Sequence, residues 1–355
     1  MVATVRRVVV NALDDVVIEE VPQRDPGPGE ARVRTSVVGI CGSDLHAACG
    51  RHPFIELPYR PGHEVVGVVE AVGAGVEDCW VGTRVAVEPN LACGHCPQCR
   101  DGRYNICREL LVLGCQTPGG LADSFTVAAD RLVALPDDLD DRHAVLIEPL
   151  ATPVHTVRRA VETVGDLAGR PVVVIGAGPI GLFVLLAARH AGARVVVADL
   201  LESKRARAER LGAAGTFDPA AADAIGTARR ALGGPAAVVF DCVSRESSVA
   251  QAVELVDKGG AVMVVGVADG AVPVPLGLIQ DRELALIGSL MYVRRDFTAA
   301  ADLLASGSVP VDEIISAAFD LRDSADAFTA SSDPENVKIL VTVGPAASGA
   351  EVRHD

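Results

Sequence analysis

Aromatic residues and lysine are scarce in this chain of 355 residues. Aromatic side chains make up only 3% of the sequence, so alanine, valine and leucine have to fill the interior of any folded domain. Lysine stands only at positions 204, 258 and 338. Acidic residues outnumber basic ones and give a net charge of -15, so nucleic acid and anionic membrane surfaces are not expected partners.

The chain also lacks the pattern of a secretory signal peptide or of a membrane span. Two early arginines interrupt MVATVRRVVVNALDD before it reaches the length of a secretory signal core. The run at 171–188 is apolar enough to suggest a membrane helix, but the glycines and prolines in its first half argue against a spanning segment, and nothing else is long enough to cross a bilayer. We therefore expect a cytoplasmic protein with no membrane partner. The apolar content of 49% excludes disorder, and the length favours two domains.

A glycine-rich turn lies between two apolar runs near the middle of the chain. The apolar run Val172–Ile175 leads into Gly176, Gly178, Pro179, Ile180 and Gly181, and a Leu/Ala-rich run follows. This order predicts a strand, a tight turn and a helix N-terminus that binds a pyrophosphate. Asp199 ends the next apolar run, at about the 20-residue distance where a carboxylate meets the ribose 2′-OH of NAD. The pattern predicts an NAD-binding Rossmann domain.

Alternating and apolar runs divide the chain into two regions. Residues 1–90 and 121–135 favour strands, and residues 141–164 favour a helix. Beyond them, strands and helices alternate, which predicts a doubly wound parallel sheet with strands at 172–175, 194–199, 214–217, 237–241, 261–266 and 284–289. The tail from about residue 296 favours helices at 297–306 and 324–330 and strands at 314–318 and 338–343. We expect this tail to return to the first domain.

Four cysteines lie close together in the lobe of residues 91–108. Their spacing is that of a closed, tetrahedral zinc site with a structural role, formed by Cys93, Cys96, Cys99 and Cys107. A zinc ribbon that grips nucleic acid is a second interpretation, but basic and aromatic residues are too scarce for it. His95 is a fifth candidate that a tetrahedral site does not need, so we expect it at the surface.

A second group of chemically active residues is dispersed. Residues 39–46 contain Cys41, Ser43, Asp44 and His46; His63 and Glu64 follow in a short motif, and Glu148 lies further on. A catalytic zinc needs about three protein ligands and one open position, and Cys41 and His63 suit that role. The remaining cysteines, Cys49, Cys79, Cys115 and Cys242, lack such spacing, and we expect them to be small buried residues.

The combination of these motifs resembles the zinc-dependent medium-chain dehydrogenase/reductase family over essentially the whole chain. The resemblance is carried by GICGSDLH (39–46), PGHE (61–64), the four clustered cysteines, EPL (148–150), VIGAGPIG (174–181) and Asp199. Within the family, the chain is most similar to the polyol, butanediol and threonine dehydrogenases, because Glu148 stands where ethanol-type members usually have a cysteine ligand.

The resemblance implies a fold and two cofactors. It implies a GroES-like, β-rich catalytic domain of residues 1–151 and 291–355 around a Rossmann coenzyme domain of residues 152–290. It also implies two Zn2+ per subunit, NAD and a homo-oligomer, either a tetramer or a dimer. Further contacts with the cofactor are predicted for Arg205, Val243, Val265 and Gly266.

The resemblance also implies roles for the dispersed residues. Cys41 and His63 are expected to bind the catalytic zinc, whereas Glu64 and Glu148 each either bind it directly or stand behind it. Asp44 would orient the His63 ring. Ser43 would take the substrate proton and pass it through the nicotinamide ribose to His46, while the alcohol carbon gives a hydride to NAD+.

The implied reaction interconverts a small-molecule alcohol and its ketone. Polyol members carry aromatic residues at the position of Ala47-Ala48 and an Arg-Tyr pair at the position of Met291-Tyr292, so groups that grip a sugar are missing here. The candidate substrates are a polyol, a sugar acid, a vicinal diol, a 3-hydroxy amino acid, a simple secondary alcohol and a cyclitol. We prefer a cyclitol, because the small side chains of Ala47 and Ala48 leave room for a ring.

Two different classes of protein share part of these motifs. A zinc-free reductase of the same fold would lack the metal ligands Cys41 and His63, which are present here. A non-catalytic protein that binds NAD and zinc would keep the glycine-rich turn but would have no need of Ser43 and His46. The motifs together favour the dehydrogenase.

Overall fold

The computed structural model describes residues 3–268 and 270–344. The strands are, in chain order, β1 (Thr4–Ala12), β2 (Asp15–Pro22), β3 (Glu30–Ile40), β4 (Glu64–Val72), β5 (Arg84–Val87), β6 (Asn90–Leu91), β7 (Leu111–Val112), β8 (Ser124–Ala128), β9 (Leu132–Ala134), β10 (Pro171–Ile175), β11 (Arg194–Ala198), β12 (Gly215–Phe217), β13 (Ala236–Asp241), β14 (Val256–Val264), β15 (Ala285–Gly288), β16 (Ile315–Asp320) and β17 (Lys338–Thr342). The helices are α1 (Gly42–Ala48), α2 (Pro97–Arg100), α3 (Asp141–Ala144), α4 (Ile147–Val164), α5 (Pro179–His190), α6 (Glu202–Arg210), α7 (Ala224–Leu232), α8 (Glu246–Leu255), α9 (Leu276–Asp281), α10 (Arg294–Ala305) and α11 (Ser324–Ser331).

The described residues form two compact units. The first contains the described residues up to Arg100, then Cys107–Glu148, and the described residues from Ile315 onward. The second contains Asp101–Ile106 and Pro149–Ile314. The second unit therefore extends beyond residue 290, because α10 is held there: Asp296, near its start, is hydrogen-bonded to His155 on α4 at 2.8 Å.

The first unit is built on a seven-stranded sheet. Its strand order is β16-β17-β3-β4-β5-β9, with β8 pairing β3. The tail strand β17 runs antiparallel to β3, with Ile339 opposite Ile40. Valine is the commonest residue in the core on this sheet, with Val8, Val33 and Val85 fully buried, in line with the shortage of aromatic residues.

The second unit contains a six-stranded, parallel sheet in the order β12-β11-β10-β13-β14-β15. This is the strand order of a dinucleotide-binding fold, whose ligand crevice lies where the order reverses, between β10 and β13. Val172, Val173 and Val174 of β10 are fully buried because helices cover both faces of such a sheet. The predicted Rossmann and GroES-like fold class is confirmed.

Two local predictions need correction. The predicted helix over residues 141–164 is divided into α3 and α4, with Asp140 accepting a hydrogen bond from the His143 N–H at 2.9 Å to cap α3. The region up to residue 90 is not entirely β, since α1 directly follows β3. Among the described helices, none combines the length and apolarity needed to cross a bilayer.

Candidate active site and metal centres

Helix α1 presents the residues of the motif at 39–46. Strand β3 ends at Ile40, and the Cys41 N–H donates to Asp44 Oδ2 at 2.9 Å, which fixes the first turn of the helix. Ser43 is half-buried and His46 is exposed. Because residues three apart in a helix are neighbours, Ser43 and His46 lie on adjacent turns of one side of α1.

Three predicted metal ligands come together at the start of β4. The ligand atoms of Cys41, His63 and Glu64 lie within 4.8 Å of one another. A thiolate, an imidazole and a carboxylate are donors that zinc accepts, so these residues fit a Zn2+ ion. Glu148 is not among the residues that cluster within that distance; it lies in the first turn of α4 with an exposed fraction of 9%.

Glu64 is held by a buried lysine. Lys338 Nζ, at the start of β17, donates to Glu64 Oε1 and Oε2 at 2.6 and 2.8 Å and to the Ile40 carbonyl at 3.1 Å. Gly39 makes the arrangement possible, since a Cβ there would lie 1.9 Å from Glu64 Oε2. Sequence reasoning missed Lys338, although a lone lysine at the start of an apolar strand could have indicated a buried ion pair.

Asp44 lies farther from His63 than a hydrogen bond allows. Its Oδ1 is 3.9 Å from His63 Nδ1, whereas the Tyr59 hydroxyl donates to the same oxygen at 3.1 Å. The predicted orienting role of Asp44 stays a prediction. Tyr59 is a second residue that sequence reasoning missed, because its contact with α1 depends on the loop that precedes β4.

The electrostatics of this cluster favour a cation. Burial raises the pKa of Asp44. Burial alone would lower the pKa of His63, but the charge of Asp44 and side-chain hydrogen bonds with Cys115 and Cys41 raise it well above its usual value. Burial would likewise lower the pKa of Lys338, yet Glu64 and Cys41 raise it. Anionic groups that stabilise protons in this way also attract a metal ion.

The four clustered cysteines fit a second zinc ion. Their sulfur atoms are separated by 3.5 Å (Cys96 to Cys99), 3.9 Å (Cys96 to Cys107) and 4.0 Å (Cys93 to Cys99). These separations are too long for disulfides and match the edges of a tetrahedron with Zn–S bonds of about 2.3 Å. Hydrogen bonds from the backbone N–H groups of Arg108 and Cys99 lower the pKa of Cys96 to about 6, which favours the thiolate. His95 is exposed, as predicted.

The glycine-rich turn has the shape that a dinucleotide requires. Gly176 adopts φ 96°, and a Cβ on Gly181 would lie 1.8 Å from the Gly176 carbonyl oxygen. A Cβ on Gly178 would meet no protein atom within 4 Å, so this side of the turn is open to a ligand. Pro179 and Ile180 begin α5, whose N-terminus favours a phosphate. The turn therefore fits the pyrophosphate of NAD.

Asp199 is fixed beside this turn. Its Oδ2 accepts from the Ala177 N–H at 2.8 Å and its Oδ1 from the Leu201 N–H at 3.0 Å. Arg205 donates to the backbone carbonyl oxygens of Asp199 and Leu200 at 2.7 and 2.9 Å, which places a positive charge close to this residue.

Three other predicted cofactor residues, Val243, Val265 and Gly266, donate hydrogen bonds to Asp241, a residue that sequence reasoning missed. Asp241, buried at the end of β13, accepts from the Val243 N–H at 2.9 Å through its side chain. Its carbonyl oxygen accepts from Val265 and Gly266 at 2.9 and 3.1 Å. Asp241 could have been identified as a candidate cofactor-site residue because it lies at the carboxyl end of a predicted strand.

Two expectations about small residues are wrong. Ala47 and Ala48 are buried in the core of the first unit, with exposed fractions of 0% and 3%, so their small size does not make room for a ring-shaped substrate. Cys49 and Cys79 are exposed rather than buried. Cys115 lies near the metal cluster, with its sulfur 3.9 Å from His63 Nδ1.

Comparison with known proteins identifies two family domains in the chain. Residues 27–137 match the alcohol dehydrogenase GroES-like domain, and residues 179–306 match the zinc-binding dehydrogenase domain. The sequence is 34% identical over 319 residues to a 2-dehydro-3-deoxy-L-galactonate 5-dehydrogenase of Pseudoalteromonas atlantica, covering 89% of this chain and 92% of that protein.

Two solved structures show the same likeness over the whole fold. An alcohol dehydrogenase from E. coli CFT073 complexed with NADH is 29% identical, with a TM-score of 0.88 and coverage of 96% of this chain and 99% of that one. A zinc-binding dehydrogenase from Sinorhizobium meliloti 1021 bound to NADP is 33% identical, with a TM-score of 0.87 and coverage of 96% and 99%. The chain therefore belongs to the zinc-dependent medium-chain dehydrogenase/reductase family and is an oxidoreductase that acts on the CH–OH group of an alcohol.

Proposed function

We propose that this protein oxidises a secondary alcohol that carries a neighbouring oxygen, with NAD+ as the hydride acceptor. The observation that carries the proposal is the cluster of Cys41, His63 and Glu64; Glu148 lies outside this cluster, but its charge acts on Lys338, which holds Glu64. Carboxylate ligands make the ion harder than a ligand set of two thiolates and one imidazole would, which favours a second substrate oxygen as a ligand. The galactonate dehydrogenase relative is consistent with such a substrate by its name.

When they are bound, Zn2+ supplies a Lewis acid that lowers the pKa of the alcohol and NAD+ supplies the hydride acceptor. The protein's part is to hold and orient these groups. Cys41 and His63 would bind the metal. Lys338 holds the Glu64 carboxylate in place, with its Nζ 2.6 Å from Glu64 Oε1. Glu148 is the further carboxylate available to the metal or to the water on it.

Ser43 and His46 carry the proton away. The Ser43 hydroxyl would accept a hydrogen bond from the alcohol and give up its own proton as it takes the alcohol's, and the exposed His46 imidazole, one turn along α1, would release a proton to solvent. A substitution that removes either group should therefore slow turnover without changing the zinc content. Asp44 supports this helix by accepting the Cys41 N–H at 2.9 Å.

The choice of NAD rests on Asp199, because the two structural relatives hold NADH in one case and NADP in the other. A carboxylate at the end of β11 accepts the ribose 2′-OH and repels a 2′-phosphate.

We also propose a cytoplasmic homo-oligomer, a dimer or tetramer. The family resemblance supports the assembly, and nine unpaired cysteines suit a reducing compartment. Light scattering on the purified protein tests the assembly.

The substrate proposal is tested by NADH formation over a panel of alcohols. A sugar acid, 2,3-butanediol and inositol are compared with 2-butanol, which lacks the neighbouring oxygen, in the wild type and in Glu148→Gln. We expect kcat/KM to be about tenfold or more higher for at least one oxygen-bearing substrate, and Glu148→Gln to reduce this advantage. If 2-butanol is the best substrate and Glu148→Gln changes neither kcat nor the zinc content, the proposed chelation is wrong.

A further inference from the structure

A cavity of about 340 Å³ lies within the second unit, which is the size of a small-ligand site. It is formed by the 101–106 segment, by α4 and by the start of α10. The Asn105 side chain, which lines it, donates to the Leu290 carbonyl at 2.8 Å, so the segment is attached to the rest of the unit. None of the residues assigned above to zinc or to NAD lines this cavity.

Positive charge dominates the lining. Four guanidinium groups face one lining carboxylate, that of Glu162; the arginines are Arg103, Arg158, Arg159 and Arg295. Arg158 is neutralised, since its Nε lies 2.6 Å from Asp296 Oδ1 and its Nη1 lies 2.6 Å from Glu162 Oε1.

Two of the arginines lack such a carboxylate. Within residues 3–268 and 270–344, neither Arg103 nor Arg159 forms an ion pair, although Arg159 donates to the Gly288 carbonyl. Burial and the nearby charge of Arg103 lower the pKa of Arg159, and the charge of Glu162, which acts in the opposite direction, does not cancel them. Two arginines without an ion pair, side by side in one cavity, are unusual in a chain with a net charge of -15.

A buried histidine in the cavity wall also lacks a partner on one side. The exposed fraction of His155 is 4%, and its Nδ1 lies 2.8 Å from Asp296 Oδ2. Its Nε2 is buried and forms no hydrogen bond with any described residue. Arg158 also lies within 2.9 Å of Nδ1, and a buried Nε2 without a partner is costly, so His155 is a second group of the cavity wall whose polar atoms the described residues do not fully satisfy.

We infer that this cavity binds a small anion that carries a phosphate group, at a site separate from the dinucleotide site. Guanidinium groups match phosphate oxygens through paired hydrogen bonds, and His155 forms part of the same wall. A bound phosphate would join Arg103, in the 101–106 segment, to Arg159 on α4. The site would therefore hold this segment on the helices of its own unit.

The inference is tested by calorimetric titration of the zinc-loaded enzyme with inorganic phosphate and with a sugar phosphate. The enzyme is saturated with NADH, so that the dinucleotide site is filled and binding there is excluded. The variants are Arg103→Gln and Arg159→Gln, and Arg230→Gln is the matched control because Arg230 is an exposed arginine of the same unit, paired with Asp223 at 2.8 Å. NADH affinity and zinc content are measured for each variant to establish that it is folded.

We expect the wild type and Arg230→Gln to bind at least one of the two phosphates with equal affinity. Arg103→Gln and Arg159→Gln should each bind about tenfold or more weakly, the effect of removing one charge-assisted hydrogen bond. Absence of binding in the wild type, or equal binding in all variants, overturns the inference. So does a change of subunit assembly in Arg103→Gln without phosphate binding, which would show that these arginines contact a second copy of the chain.

Discussion

The Asp199 carboxylate, fixed by the N–H groups of Ala177 and Leu201, lies where the adenosine ribose of NAD is expected. Asp199→Ser should narrow or reverse the ratio of kcat/KM for NAD+ over NADP+, because the substitution removes the charge that repels a 2′-phosphate. The neighbouring positive charge of Arg205 should make the wild-type preference incomplete.

Asp218→Ser is the matched control, since Asp218 follows β12 in the same way that Asp199 follows β11. It should leave the cofactor ratio unchanged. A wild type that prefers NADP+ contradicts the assignment of Asp199.

Lys338 and Glu64 form a buried ion pair, with side-chain exposed fractions of 2% and 0%. Lys338→Met leaves the carboxylate buried without its cation, so we expect the free energy of unfolding to fall by about 3 kcal/mol or more. Urea unfolding of the zinc-loaded protein measures this change. Lys258→Met, at an exposed lysine, should be nearly neutral, and equal stability of the two variants would show that the ion pair does not support the site.

Sequence reasoning selected residues by short motifs and therefore missed partners that are distant in the chain. The spacing of Cys41 and His63 within recognisable motifs predicted a metal site. Lys338 lies 274 positions from Glu64 in the sequence and belongs to no motif. Only the antiparallel pairing of β17 with β3 brings it to Glu64 and Ile40.

Among the elements, the cysteine-rich lobe of residues 91–108 contains little regular structure. Its regular structure consists of short pieces, such as α2 with 4 residues and β6 with 2. Cys99→Ser should therefore lower the melting temperature by about 5 °C or more, as expected when a structural zinc site is lost. Cys79→Ser, at an exposed cysteine, should not change it, and an equal effect of both substitutions would contradict a structural role for the cluster.

The start of α10 depends on Asp296, whose exposed fraction is 1%. Burial alone would raise the pKa of Asp296, but hydrogen bonds from His155 and Arg158 lower it from 3.8 to about 2. A lowered carboxyl pKa stabilises the folded state above the unfolded pKa, and this contribution disappears as the pH falls through the folded value.

Asp296→Asn should therefore reduce the free energy of unfolding by about 2 kcal/mol at neutral pH, with a smaller difference from the wild type below about pH 4. Urea unfolding of both proteins over this pH range measures the difference. A difference that does not depend on pH would show that the charge of Asp296 is not the cause.

Strands and helices could be predicted from the sequence where their hydrophobic pattern extends over enough residues to be recognised. Five of the six strands of the parallel sheet lie within one residue of their predicted positions, because each is a short apolar run, whereas β14 begins at Val256, five residues before its predicted start, with a polar stretch that showed no strand pattern. Helix α1 was missed since its 7 residues are too few to show a helical period. Its start depends on a local hydrogen bond from Cys41 to Asp44, a pattern that short polar residues at a helix start could have indicated.

For the whole molecule, we expect each subunit to carry two zinc ions with separate roles, one structural and one catalytic. The two clusters share no residue: one consists of four thiols, and the other combines Cys41, His63 and Glu64. Because the clusters are independent, losing the catalytic ion should not unfold the chain.

The direct test is the zinc content per subunit of the purified wild type and of Cys41→Ser, with NADH formation measured on the same samples. We predict two zinc ions and activity for the wild type. For Cys41→Ser we predict one zinc ion, an unchanged fold and no activity. A wild type that contains no zinc and still reduces NAD+ would contradict both zinc roles.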